Sequence, residues 1–305
     1  MAVYKTYDTI GIREDLQDAI YDISPTTTPF MSTVGRTKAK NTYHEWQTDS
    51  LADVNLANAQ LEGADAVSAT LTPTTRVGNY TQISDKVVQV STTDDAVDKA
   101  GRSTETAYQL SKASAELKRD MESILLSDQE KSPGGASVAS GDPMTPRKLG
   151  GLASWIETNT VNTAGAELTE DMLKEAVLKA YNSGGEPDVL LVSPANKQVV
   201  STFPGIAEQR YQAPKSSPTT IIGTADVYLS DFGSVNVVPD RFLSDDYSFV
   251  LDPSMASVAY LRPFKSQKLA KMGDSEKHLL NVEYTLVVNN ESAHAMMSDE
   301  TPVAP

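Results

Sequence analysis

Cysteine is absent from the 305 residues. Disulfides, zinc–thiolate sites and cysteine nucleophiles are therefore excluded. Histidine is scarce: His44, His278 and His294 lie far apart, in no metal-ligand spacing such as HExxH. Long apolar runs are missing as well. The stretch "VLLV" at 189–192 is among the longest, and none approaches the ~20 residues that span a bilayer. The opening "MAVYKTYDTI" has no apolar h-region, so no signal peptide is expected and synthesis in the cytoplasm is. Basic residues are in deficit, 26 against 41 acidic ones, for a net charge of −15. A field of that sign repels phosphates and argues against sequence-independent binding of naked nucleic acid. Hydrophobic residues make up 39% of the chain, at the low edge for a globular protein, so part of it is thinly packed.

Motifs of catalysis and of phosphate binding are missing too. There is no GxSxG, Walker loop or GxGxxG, and "SPGGAS" lacks the Lys-Ser/Thr of a phosphate loop. His44 and Glu45 resemble a base and its orienter. Adjacent residues on a strand point to opposite faces, so they cannot pair without a bulge. "DRFLSDDY" places Asp240, Asp245 and Asp246 close in sequence without matching an EF-hand; a solvated acidic turn is the expectation. Ser–His–Asp triads converge only in space, so sequence does not address them.

What is present is an order of dissimilar segments. Residues 1–41 read as an extended arm, because "DISPTTTPF" carries two prolines and three consecutive threonines. Two strands follow, at 42–48 and 76–91, the second rich in β-branched residues. The intervening 49–75 carries four acids (Asp49, Asp53, Glu62, Asp65), no bases and no aromatic residue. So long a stretch without a firm element is rarely idle. Residues 42–91 predict an extended hairpin with a long polar tip.

The spacing then predicts one long helix over 92–127. Ser91, Thr92 and Thr93 offer caps, and Val97, Ala100, Thr104, Ala107, Leu110, Ala113, Leu117, Met121 and Ile124 form one stripe. About 34 residues at ~1.5 Å each make a strut of about 50 Å. The Gly/Pro/Ser run at 132–151 marks a boundary. Beyond it come a helix at 168–185 between Thr169 and Gly184, a buried strand "VLLV", a short helix "ANKQVVSTF", and a hairpin about Gly233. "YSFVLDP" and "SVAYLRPF" are further strands, and "LLNVEYTLVVNN" with "ESAHAMMS" forms a last pair expected to close the same sheet. The one basic cluster, "KSQKLAKMGDSEKH", holds Lys265, Lys268, Lys271 and Lys277, diluted by Asp274 and Glu276. An inter-subunit salt-bridge patch, a nucleic-acid contact and a solvated charged turn all fit it; the acidic balance of the chain favours the first over the second.

This order resembles the major capsid protein of tailed bacteriophages, an α+β chain of the Hong Kong 97-type capsid fold. Particular stretches resemble one branch of that family: "DISPTTTPF", "YHEWQTDSL", "PRKLGGLASWI", "DFGSVNVVPDRF", "LAKMGDSEKH" and "EYTLVVNNESAH". The resemblance implies an N-terminal arm at 1–41 and an E-loop hairpin at 42–93 lying on a neighbouring subunit. It implies a peripheral domain at 94–159 with a spine helix at 94–127, an axial α/β domain at 160–262, and returning peripheral strands and a tail at 263–305. It implies a structural role without catalysis or cofactor. The chain would form hexamers and pentamers in an icosahedral virion shell around double-stranded DNA, which the inner wall touches only weakly, with portal and scaffolding partners and no membrane. "DISPTTTPF" begins by residue 22, which leaves no room for a cleaved scaffolding segment and leads to the expectation of a separate scaffolding protein. On this reading Tyr43, Trp46, Asp49, Asp53, Glu62, Asp65, Arg76, Lys265, Lys268, Lys271, Asp274 and Glu276 are candidate subunit-interface residues. A decoration or tail-tube protein is the alternative, and an enzyme built on 160–262 a remoter one.

Overall fold

The computed structural model describes residues 26–52, 54–63, 65, 71–97, 104–135, 144–203, 227–271 and 273–299. Most of the predicted arm, and Asp53 at the tip, lie outside the described residues. The first described element is a short helix, α1 (Pro29–Thr33), whose Phe30 and Met31 are buried. Strand β1 (Gly35–Lys38) follows.

The predicted hairpin forms. Strand β2 (Tyr43–Thr48) pairs antiparallel with β3 (Thr75–Tyr80), Tyr43 opposite Tyr80 and Thr48 opposite Thr75. The predicted second strand is two, however. The chain breaks at Thr81 and continues as β4 (Gln82–Ser91), which belongs to a different sheet.

The single helix predicted over 92–127 is not continuous. Helix α2 (Thr92–Ala96) stops at Val97, whose backbone is extended (φ −86, ψ 134). Helix α3 (Glu105–Leu126) begins after Thr104, also extended (φ −139, ψ 143). The polar groups between them explain the break. The Thr104 hydroxyl accepts from the Ala107 amide, and Asp95 accepts from both the amide and the hydroxyl of Thr106. Side chains that bond their local backbone in this way favour caps over helix interiors. The strut is thus 22 residues, or about 33 Å long. Of the predicted stripe Ala113, Leu117 and Met121 are buried, Leu110 and Ile124 half-buried and Ala107 exposed; Leu125, outside the predicted stripe, is buried in place of Ile124.

After helix α4 (Leu152–Trp155) and strand β5 (Thr160–Asn162) comes α5 (Glu170–Asn182), capped by the Thr169 hydroxyl and left through Gly184 at φ 85. Only glycine adopts that conformation without strain. Strand β6 (Val189–Val192), helix α6 (Pro194–Val200), β7 (Val227–Ser230), β8 (Gly233–Pro239) and β9 (Tyr247–Leu251) follow. The chain ends in β10 (Ala256–Lys268), β11 (Ser275–Val288) and β12 (Ala295–Ser298).

Two sheets organise these strands. One is four-stranded, in the order β1-β10-β11-β4; the other is six-stranded, β5-β12-β9-β6-β8-β7. The expected boundary at 262 falls inside β10, which runs antiparallel to β11 through the four-stranded sheet. The predicted last pair also separates. Strand β11 lies between β10 and β4, whereas β12 enters the other sheet one strand in from its edge, between β5 and β9. The turn at 289–294 carries the chain across, since Asn289 N–H bonds to the Met255 carbonyl and Met296 N–H to that of Asn159.

The fully buried "VLLV" of β6 is the inner strand its composition implied. Its Leu190 and Val192 face α5 through Leu173, Val177 and Ala180. Its Val189 and Leu191 face the other way. They join a core that includes Phe30, Leu117, Met121, Leu125, Phe249, Val258 and Tyr284. That core runs beneath both sheets, so α1, α3 and the two sheets share one interior.

Candidate assembly surface

The hairpin is fixed at its root by buried polar groups. Asn79, fully buried on β3, donates to the carbonyls of Gly150 (3.0 Å) and Leu286 (2.9 Å) and accepts from the Gly150 amide (2.8 Å). At the break between β3 and β4 the Thr81 hydroxyl donates to Glu283 (2.8 Å). That buried carboxylate also takes Arg147 and Arg262, each at 2.7 Å. Gln129 bonds Gln82, and Lys131 reaches the Gly78 carbonyl. Three partners, Gln129, Lys131 and Arg147, flank or lie within the Gly/Pro-rich segment, which therefore holds the hairpin as well as linking two helices. The close approach at Gly151, packed against the Ser127 carbonyl, leaves no room for a Cβ.

Aromatic packing adds to this. Tyr43 lies against Tyr80 with centroids 4.5 Å apart, and a Cβ on Gly78 would meet the Tyr43 ring and Glu45. On the other face Trp46 contacts Trp155 of α4 at 5.5 Å, and Lys131 stands over the Trp155 ring at 4.7 Å. Trp46 also covers a small cluster of Ala39, Ala259 and Val287. Glu45 bonds Arg76 across the pair at 2.5 Å, while His44 turns toward Trp46, centroids 6.2 Å apart. The two residues of the tempting dyad face opposite sides, as the alternation of a strand requires. Burial lowers the pKa of His44.

Beyond Thr48 and Thr75, whose hydroxyls bond at 2.7 Å, the character reverses. Every described residue from 49 to 76 is exposed. Leu51 is 98% exposed, Leu56 96% and Leu71 89%, with Val54 and Leu61 close behind. Single exposed leucines are ordinary; so many on one projection with no core beneath them mark a contact surface. The candidate acids Asp49, Glu62 and Asp65 lie among them. The spacing of the apolar residues fits no element, and that is the one signal of their exposure that the sequence carries.

The basic cluster lies at the far end of the β10–β11 hairpin and is largely paired within the chain. Lys268 bonds Glu276 at 2.7 Å, and Asp274 accepts from the Thr92 hydroxyl at 2.6 Å with Lys271 3.8 Å away. The Glu276 pKa is lowered, chiefly by its hydrogen bond from Lys268. Lys265 is exposed.

The remaining candidates for chemistry do not converge. His278 sits 4.0 Å from Glu276 on β11. His294 is fully buried beyond β11, accepting the Asp252 amide through Nδ1; burial pushes its pKa down to about 4. Asp240 is fully buried, whereas Asp245 and Asp246 are exposed. Among the described residues no group of three or more His, Asp or Glu side chains has the placement of a metal site.

Comparison with known proteins decides the family. The model of the SU10 major capsid protein matches residues 3–301. The chain belongs to the SU10 major capsid protein family. It is a phage major capsid protein, a structural component of the virion shell. The major capsid protein of Escherichia phage Phieco32 is 28% identical, over 97% of this chain and 96% of that one. Two solved structures share the α+β fold at lower identity. The capsid of cyanophage P-SCSP1u has a TM-score of 0.63 and 10% identity, covering 94% of this chain and 93% of its own. The SrpI encapsulin of Synechococcus elongatus PCC 7942 has 0.60 and 13%, covering 100% and 98%. No helix among the described residues is long and apolar enough to cross a membrane.

Proposed function

We propose that this capsid protein builds an icosahedral shell of hexamers and pentamers of the Hong Kong 97 type, and that its hairpin is the E-loop that lies on a neighbouring subunit. The observation that carries this reading is the exposure of every described residue of 49–74, five large apolar ones among them, on a root held by buried bonds. An arm of this kind has few partners within its own chain and gains them only when laid on another copy. In a closed symmetric shell many such modest contacts add up.

In this reading the exposed acids Asp49, Glu62 and Asp65, with Asp53, meet basic groups of an adjacent subunit, and Lys265, Lys268 and Lys271 are candidates for the receiving side. Tyr43, Trp46 and Arg76 act one step back, holding the hairpin at its angle. Helix α3 is the spine of a peripheral domain built on the four-stranded sheet, and the six-stranded sheet is the axial domain. The shell encloses double-stranded DNA. The net charge of −15 keeps the wall from gripping that cargo. A separate scaffolding protein and a portal complete the assembly, and subunits are made in the host cytoplasm.

The test is a chain in which 49–74 is replaced by a two-residue turn joining β2 to β3. Sedimentation and circular dichroism should report soluble, folded subunits, and electron microscopy should show no shells. Shells of normal form from that variant would overturn the assignment of the hairpin.

A further inference from the structure

Two carboxyl groups meet in the interior where three parts of the chain join. Glu122 of α3 is fully buried, and its oxygens accept the amides of Phe30 (2.6 Å) and Met31 (3.0 Å) in α1. Asp240, just past the end of β8, is fully buried too. Its Oδ1 accepts the Phe242 amide at 2.9 Å, and its Oδ2 is buried with no N–H or O–H donor among the described residues. The segment that carries Asp240 packs on α3, with Arg119 over the Phe242 ring at 5.3 Å, and the charges of Glu122 and Asp240 act on each other. Two carboxylates side by side away from water repel strongly, and neither is paired with a cation among the described residues; a proton held between them removes the conflict and satisfies Oδ2.

We propose that Glu122 and Asp240 hold one proton between them, and that this shared proton is a latch that keeps the chain around α1 docked on α3 and weakens as pH rises. The latch ties the arm, the spine and the six-stranded sheet at a single point. It belongs to the isolated subunit and stands apart from the shell reading above.

The surroundings agree. Tyr260 of β10 feels the Glu122 charge from one side and that of Arg36 of β1 from the other. Arg119, one turn before Glu122, lies over the Phe242 ring at 5.3 Å instead of pairing with either carboxyl, its Nε buried and unbonded. Arg36 and Arg241 are exposed. Burial, then the Asp240 charge, pushes the Glu122 pKa up to about 8 from its ordinary 4.5. When α1 lifts away, water reaches Glu122 and the proton is released. Between those two values the closed form binds one more proton than the open one. Docking is therefore firmest at the acid end, loosens toward about tenfold per pH unit, and levels off once the closed pair is itself ionised.

Amide hydrogen exchange on the full chain, unassembled, tests this through the protection factors of Phe30 and Met31 between pH 5 and 9. Protection should fall steadily with rising pH and flatten near pH 8. Glu122→Gln removes the titrating proton, at the cost of the acceptor for one of the two amides, and should make protection independent of pH. Asp240→Asn leaves Glu122 buried and should move the fall in protection to lower pH. Constant protection in the unaltered chain would overturn the latch, as would a pH profile left unchanged by both variants. If neither variant folds, the slope in the unaltered chain decides alone.

Discussion

At its root the hairpin turns polar side chains inward and gives most of them partners, the Trp46 Nε1 excepted. Asn79 makes three bonds and Glu283 gathers Thr81, Arg147 and Arg262. At its tip the same hairpin leaves Leu51, Val54, Leu56, Leu61 and Leu71 exposed, with no core beneath them among the described residues. Each end reverses the usual rule of polar outside and apolar inside, and together they make sense. A buried hydrogen bond is directional and fixes an angle; exposed apolar area is non-directional and tolerates a range of partners. A subunit that must fit slightly different neighbours gains from an aimed arm with an adaptable end.

That contrast is open to attack by substitution. The largest effect on the subunit is expected at Asn79→Ala, which leaves the Gly150 and Leu286 backbone groups buried and unanswered. It should cost about 3 kcal/mol in a denaturant titration. Glu283→Ala comes next, at about 2 kcal/mol, because Arg147 and Arg262 are partly exposed and water replaces some of what they lose. This variant should also yield misshapen assemblies, since the break at Thr81 loses its anchor; regular shells would show that the root does not aim the hairpin. The smallest effect belongs to Leu51→Ser, Leu56→Ser and Leu61→Ser together. Subunit stability should move by less than about 0.5 kcal/mol per site, while shell yield in electron micrographs collapses. A large loss of stability in the isolated subunit would mean the tip folds back on its own chain.

Much of this was legible before any coordinates. Helix α5 announced itself through Thr169 and Gly184, the strand "VLLV" through its unbroken apolar run, and β7–β8 through Gly233. Those signals are local, and local physics produces them. The failures are informative in the same terms. Thr104 and Asp95 break a helix that the apolar stripe alone would carry through, because capping competes with periodicity. Strands β11 and β12 look alike in sequence and lie in different sheets, because period reveals a strand and says nothing of its neighbours. Composition and pattern give the order of segments, and the quoted motifs its resemblance to the capsid family, whereas the Asn79 and Glu283 anchors and the meeting of Glu122 with Asp240 depend on residues brought together across long separations. Trp46 was read as an anchor; its partner Trp155, 109 positions away, was not foreseeable.

The position of β12 also sets a timetable. It occupies residues 295–298 yet lies between β5 and β9, one strand in from the edge of the six-stranded sheet. It pairs parallel with β5 and antiparallel with β9, so the two have an empty lane between them until residues 295–298 arrive. Contacts between such distant parts of a chain form late and slowly. Closure of this sheet is therefore a late step in folding, set by a segment 133 or more positions beyond β5.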